Sequence, residues 1–198
     1  MRRIAVIGLA IWAGLGVLVG GLLLVQHLIA LPAPPVSDAR LRDAVASLRT
    51  DHPSWWRAVH IMYRSCPCSQ RTIAHLRATP RPMELDEIVV MVDDDGANGP
   101  EDALLRTSGF QVEVITPRVL REGFSVEAAP LLVLARPDHT LTYVGGYSRH
   151  KQSAAYEDLA IVTDSRGNAE RSPLPVFGCA TSAKLASTLD PLGLGNWR

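Results

Sequence analysis

The sequence predicts an α/β domain with a mixed central sheet, set behind one hydrophobic N-terminal helix. Three observations carry this. Strand-like and helix-like runs alternate from Trp56 to Pro117, as βαβ units do. After Pro130, two further strand-like runs are separated only by a short proline-aspartate turn, which makes them an antiparallel hairpin. Ahead of all this, the 22 residues from Ile4 to Val25 contain no charge.

At 1.5 Å per residue a helix of that length crosses a hydrocarbon core of about 30 Å, so residues 1–30 are expected to form a transmembrane anchor. Arg2 and Arg3 precede the segment and no comparable basic cluster follows it. The positive-inside rule then leaves the N-terminus cytoplasmic. The rest of the chain is expected on the other side of a cell inner membrane, in a periplasmic or extracellular space where disulfides persist.

Residues 31–51 read as a linker and an amphipathic helix. LPAPP is a stiff spacer, because each proline fixes φ and removes a donor. Ser37 is placed to cap a helix over residues 38–49, in which Leu41, Val45 and Leu48 fall at i, i+4 and i+7. Asp51-His52-Pro53 ends it.

The stretch from Trp56 to Tyr63 has the aromatic and β-branched content of a strand and runs straight into Cys66-Pro67-Cys68. Pro67 suits the first position of a helix continued by Ile73 and Leu76, so the cysteines stand at a strand-to-helix junction. Residues 86–92, apolar without interruption from Ile88 on, read as a central strand covered on both faces. A helix starting at Pro100 and ending near Gly109 leads to a strand in QVEVITP. The hairpin strands are residues 131–135 and 140–146, and a helix is expected over residues 153–162.

The chain has 198 residues, 20 Lys plus Arg against 20 Asp plus Glu, and hence no net charge; this gives no electrostatic footprint for nucleic acid. Asp93-Asp94-Asp95-Gly96 lacks the alternating ligand spacing of a calcium loop and reads as a solvated strand exit. His60 and His75 read as structural, and Trp55 and Trp56 as packing residues.

Three features in this order resemble the thioredoxin-like superfamily, in particular its membrane-tethered periplasmic members: a strand ending at Cys66-Pro67-Cys68-Ser69 before a helix, Ala129-Pro130 before a strand, and Gly145-Gly146 closing the hairpin. The similarity spans about residues 52–165 and implies a thioredoxin-like three-layer sandwich. It also implies that Cys66 matches an exposed nucleophilic cysteine and that Pro130 matches a cis-proline facing it. With Pro67 and Ala129, Pro130 would shape the substrate groove. The family's second cysteine follows two residues after the first, C-x-x-C; here that position is Ser69, and Cys68 comes one residue early. Residues 166–198, with Cys179, form a C-terminal extension that matches nothing in the minimal fold.

A thiol at a helix N-terminus faces unpaired N–H groups and the positive end of the helix dipole, so Cys66 is expected to be the most reactive. A Cys66–Cys68 disulfide would close a small strained ring, of the exchange-prone kind. The function expected is membrane-anchored, extracytoplasmic thiol-disulfide exchange with partner proteins. Cys66 would attack, Cys68 would be its partner, and Cys68 or Cys179 would resolve the mixed disulfide; no cofactor is required. Two alternatives stand beside it: a Cu(I)-binding or delivery module using the soft sulfurs of Cys66 and Cys68, with or without Cys179, and an inactive thioredoxin-like scaffold. Cys179 follows a glycine near a predicted helix start. If the tail folds back, it should come within disulfide reach of the Cys66–Cys68 corner, with Cα atoms no farther apart than about 7 Å.

Overall fold

The computed structural model describes residues 2–151, 153–169 and 171–189, for residues 2–5 and 22–28 the backbone alone. Helix α1 (Arg2–Leu28) comes first. Among the described residues no helix is long and apolar enough to cross a membrane, and the side chains described in α1 are those of residues 6–21. The anchor over residues 4–25 thus rests on the sequence.

Helix α2 (Ala39–Ser47) begins one residue later than expected. Its cap is Asp38 rather than Ser37, because the Asp38 carboxylate accepts from the Leu41 amide at 2.8 Å. Strand β1 (Trp56–Tyr63) is followed by α3 (Pro67–Ala78), with Pro67 at the start of the helix as expected. Strand β2 (Leu85–Val92), α4 (Pro100–Thr107) and β3 (Gln111–Ile115) complete the parallel part. Helix α5 (Pro117–Phe124) was not foreseen, although Thr116-Pro117 signals it: the Thr116 hydroxyl accepts from the Val119 amide and Pro117 takes the first helical position.

The two-residue strand β4 (Ala128–Ala129) leads through a cis Ala129–Pro130 bond, as expected, into β5 (Leu131–Ala135) and β6 (Leu141–Gly145). Between these two the Asp138 carboxylate accepts from the Thr140 amide and fixes the turn. Helix α6 (Asp158–Arg166) lies later than the expected residues 153–162. Residues 153–157 are instead a loop in which the Ser153 hydroxyl accepts from the Ala155 amide and Tyr156 stacks on His75. The extension adds β7 (Cys179–Ala180) and α7 (Ala183–Leu189).

The main sheet has the order β3-β2-β1-β5-β6. Strands β1, β2 and β3 are parallel, whereas β5 runs antiparallel to both β1 and β6. Successive side chains of a strand face opposite sides, and both sides of β1 are covered. Val59, Ile61 and Tyr63 pack with Leu41 and Val45 of α2 and Leu120 and Phe124 of α5. Ala58 and Met62 pack with Ile73 and Leu76 of α3, Leu105 of α4 and Ile161 of α6. The result is helices on both sides of a mixed sheet, with the C-terminal end of β1 delivering Cys66 to one edge of the core.

Candidate functional site

Cys66 is the cap residue of α3, in extended backbone, and its carbonyl accepts the first helical hydrogen bond, from the Gln70 amide at 3.0 Å. The Ser69 hydroxyl accepts from the Tyr63 amide at 3.0 Å and is fully buried, so Ser69 ties the end of β1 to the first turn of α3.

Cys66 forms a disulfide with Cys179, with Cα atoms 5.8 Å apart, while Cys68 is a free thiol. This corrects the expectation that Cys68 is the partner of Cys66. Cys66 stands outside the helix in extended backbone, whereas Cys68 belongs to the first turn and presents its thiol sideways, where the Arg71 guanidinium donates to it at 3.4 Å. Cys68 lines a shallow recess with Arg71, Pro130, Tyr156, Pro175 and Phe177. Arg64, the other arginine near the motif, is committed elsewhere: it pairs with Asp93 at 2.7 Å and with Asp102 at 3.0 Å. Those contacts give the acidic strand exit its role.

The expected exposure of Cys66 is also corrected. Cys66 is 0% exposed and Cys179 is 7% exposed, because the C-terminal tail lies over the junction. The tail is seated by backbone contacts along its length. Leu31 donates to the Val176 carbonyl, and Gly146 donates to that of Leu174. The Tyr143 hydroxyl accepts from the Leu174 amide and donates to the Gly146 carbonyl; burial pushes its pKa up to about 12, so it stays neutral there. The glycine pair does more than close a hairpin, since a Cβ on Gly146 would run into the Pro175 carbonyl. Farther on, β7 pairs antiparallel with β4: Ala128 stands opposite Ala180 and Ala129 opposite Cys179. The Cys66 sulfur is 3.7 Å from the Ala129 carbonyl oxygen, so the disulfide, β4 and Pro130 form one corner. Pro67 is the first residue of α3 beside it.

On the opposite face of the sheet lies a buried ionic cluster absent from the sequence reading. His60, fully buried, contacts the Tyr147 hydroxyl at 2.8 Å and Glu87 at 3.1 Å. Arg81 bridges Glu87 and Asp158, and His75 reaches Asp158 at 2.8 Å. Burial alone would raise the Glu87 carboxyl, but hydrogen bonds from His60 and Arg81 outweigh it and hold it below the usual carboxylate range. Asp158 is lowered likewise, against its burial, by Arg81 and His75. The members come from four separate elements and loops, so no local pattern announces them. Both histidines are thus structural, as expected. Trp55 stacks on His52, and the Arg136 guanidinium lies over Trp56.

Among the described residues no cluster of three or more His, Cys, Asp or Glu could hold a metal ion. With Cys66 and Cys179 joined, only the Cys68 sulfur is a free thiol.

No protein-family model matches the chain, and no curated protein matches it. Among solved structures, an uncharacterized conserved protein from Geobacillus kaustophilus is similar with a TM-score of 0.51 and 12% identity, over 65% of this chain and 77% of that one. A hypothetical protein from Sinorhizobium meliloti 1021 is similar with a TM-score of 0.51 and 15% identity, over 79% of this chain and 93% of that one. A thiol:disulfide interchange protein from Bacteroides sp. reaches a TM-score of 0.41 at 13% identity, over 72% and 91% of the two chains, too distant to carry an argument. Likeness at such identities is one of fold. Strand order, the cis-proline and the strand-to-helix junction match what the resemblance to the thioredoxin-like superfamily implies for the fold.

Proposed function

We propose that this protein is a membrane-anchored, extracytoplasmic thiol-disulfide exchange protein whose redox pair is Cys66 and Cys179. The observation that carries the reading is the disulfide between a cysteine capping α3 and a cysteine on the strand paired with β4, directly before the cis-proline. Cys66 is a good leaving group there, because a thiolate released at a helix N-terminus is stabilised by the free N–H groups and the dipole. A partner dithiol attacks the Cys66 sulfur and the electron pair of the S–S bond leaves on Cys179. The partner's second thiolate then attacks its own half of the mixed disulfide and releases Cys66 as the thiolate. The partner is left as a disulfide and the protein as two thiols. Oxidised partners run the sequence in reverse.

The anchor is proposed from the uncharged segment of residues 4–25. Retention of the full chain in the membrane pellet after alkaline carbonate extraction supports it; release into the supernatant removes it.

Burial of both sulfurs favours a second reading, a structural disulfide that fastens the tail to an inactive scaffold. The copper reading requires the Cys66 and Cys68 sulfurs as thiolates, with or without Cys179, and Cys66 is available only once Cys66–Cys179 is reduced. Reduction of insulin by the full chain, with dithiothreitol as electron source, separates exchange from the staple. Cys66→Ser and Cys179→Ser lose the turnover and Cys68→Ser keeps it if the pair exchanges. If wild type reduces insulin no faster than dithiothreitol alone, the exchange reading fails.

A further inference from the structure

We infer that the outer surface of helices α2, α5 and α7 is a docking face for the anionic phospholipid headgroups of the membrane that holds the anchor. The inference rests on the proposed anchor and adds to it the side of the domain that meets the bilayer.

The tether is short, and it enters the domain on this side. Helix α1 ends at Leu28, and already at Leu31 the backbone amide donates to the Val176 carbonyl at 2.8 Å, so Leu31 is part of the domain. At no more than about 3.6 Å per extended residue, Leu31 stands within roughly 11 Å of the end of that helix. The headgroup layer is itself about 5–7 Å deep on each side of the hydrocarbon. Leu31 is buried in the core cluster shared by Leu41 and Val45 of α2 and by Leu120 and Phe124 of α5. Leu185 and Leu189 of α7 pack against the same cluster. The layer formed by these three helices is thus the one that the anchor feeds directly.

With its apolar residues turned inward, the layer presents charge outward. Exposed on α2 stand Arg40, Arg42 and Asp43, and on α5 Arg118, Arg121 and Glu122; α7 adds Lys184. Both carboxylates are taken by a neighbour on their own helix, Asp43 by Arg42 at 3.2 Å and Glu122 by Arg121 at 3.3 Å. Arg40, Arg118 and Lys184 are left without an ion pair among the described residues, on a chain that has no net charge. At the margins of the layer Asp38 accepts from the Leu41 amide and Glu127 from the Ser182 hydroxyl, both half-buried. The opposite layer has no such excess: α3 carries two arginines, whereas α4 and α6 each carry one arginine against two carboxylates. Val119, 43% exposed, lies next to Arg118, and Val36, 44% exposed, lies in the spacer leading to α2. Cations interleaved with apolar side chains are what an interfacial surface offers to a bilayer.

An acidic protein would satisfy the same charges; the tether decides for lipid, because it keeps this layer within reach of the headgroups at all times. Each cation brought to an anionic surface gains roughly fivefold in binding constant, so three unpaired ones favour the docked orientation on the order of a hundredfold over a domain free on its tether. Docking then sets the orientation of the whole domain, with α2, α5 and α7 against the bilayer and α3, α4 and α6 turned away from it.

The test uses the full oxidised chain in nanodiscs of phosphatidylcholine alone and of phosphatidylcholine with about 30% phosphatidylglycerol, an anionic lipid. Phenylglyoxal modifies accessible arginines, and peptide mass spectrometry reads the rate at each one. Arg40 and Arg118 should react at least about fivefold more slowly in the anionic discs. Arg77, an exposed arginine of α3 without an ion pair, should react alike in both. Salt at about 1 M, where the screening length is about 3 Å, should restore the rates. Arg40→Glu combined with Lys184→Glu, both at exposed positions, should abolish the protection of Arg118. Protection of Arg118 that survives the salt or the double variant would overturn the electrostatic basis. Equal slowing at Arg77 would overturn the choice of face. Absence of any lipid dependence at Arg40 and Arg118 would overturn the membrane as occupant, in favour of an acidic protein, and leave the anchor standing. A chain that fails to co-elute with discs of either composition would overturn the anchor itself, and this inference with it.

Discussion

Gly178 lies against the carbonyl of Ala129, with no space for a Cβ between them, and this contact sets the seat of the tail. Gly178→Ala should therefore destabilise the oxidised protein by about 1–3 kcal/mol, the usual cost of overpacking where backbone must shift. Urea unfolding of the oxidised wild type and of Gly178→Ala measures the difference.

The Cys66–Cys179 disulfide closes a loop of 113 residues in sequence. In the chain-entropy account a loop of that size stabilises by about 4–5 kcal/mol. Cys179→Ser should lower the stability of the oxidised protein by about that amount or somewhat less, and reduction of the wild type should reproduce the loss. Unfolding midpoints with and without dithiothreitol check this.

Arg81 neutralises two buried carboxylates, Glu87 and Asp158. Arg81→Met should cost about 3–5 kcal/mol at neutral pH, because it leaves charges buried without a partner. The loss should shrink in acid. Both carboxyls are held below their ordinary values of 4.5 and 3.8, so the stability they contribute is full above those values and is lost as pH falls through the lower folded-state pKa. Without Arg81, proton uptake relieves the buried charge instead. Wild type and variant should converge in stability as pH drops below about 4, as read by chemical denaturation at a series of pH values.

The sheet was legible because its strands are local patterns: residues 88–92 are a continuous apolar run, and a proline-aspartate turn joins residues 131–135 to 140–146. The helix placed at 153–162 moved to Asp158–Arg166 because side-chain contacts of Ser153 and Tyr156 hold the preceding residues in a loop. At the site, the strand-to-helix position of Cys66 and the cis bond at Pro130 were readable from order along the chain. The partner of Cys66 was not: a two-residue pairing of β4 with β7 bridges about fifty positions and leaves no periodicity behind. Its one trace is glycine, at Gly146 and Gly178, two points where the tail backbone meets the domain backbone too closely for a Cβ.

The central claim, that Cys66–Cys179 is an exchanging pair, is tested most directly by equilibrating the full chain in glutathione or dithiothreitol buffers of graded potential and mapping its disulfides by mass spectrometry. The account predicts that Cys66–Cys179 opens and closes reversibly as one two-electron couple above about −300 mV, the range of labile rather than structural disulfides, with Cys68 a thiol throughout. A bond that stays closed well below that potential, or an oxidised form linking Cys66 to Cys68, would contradict it.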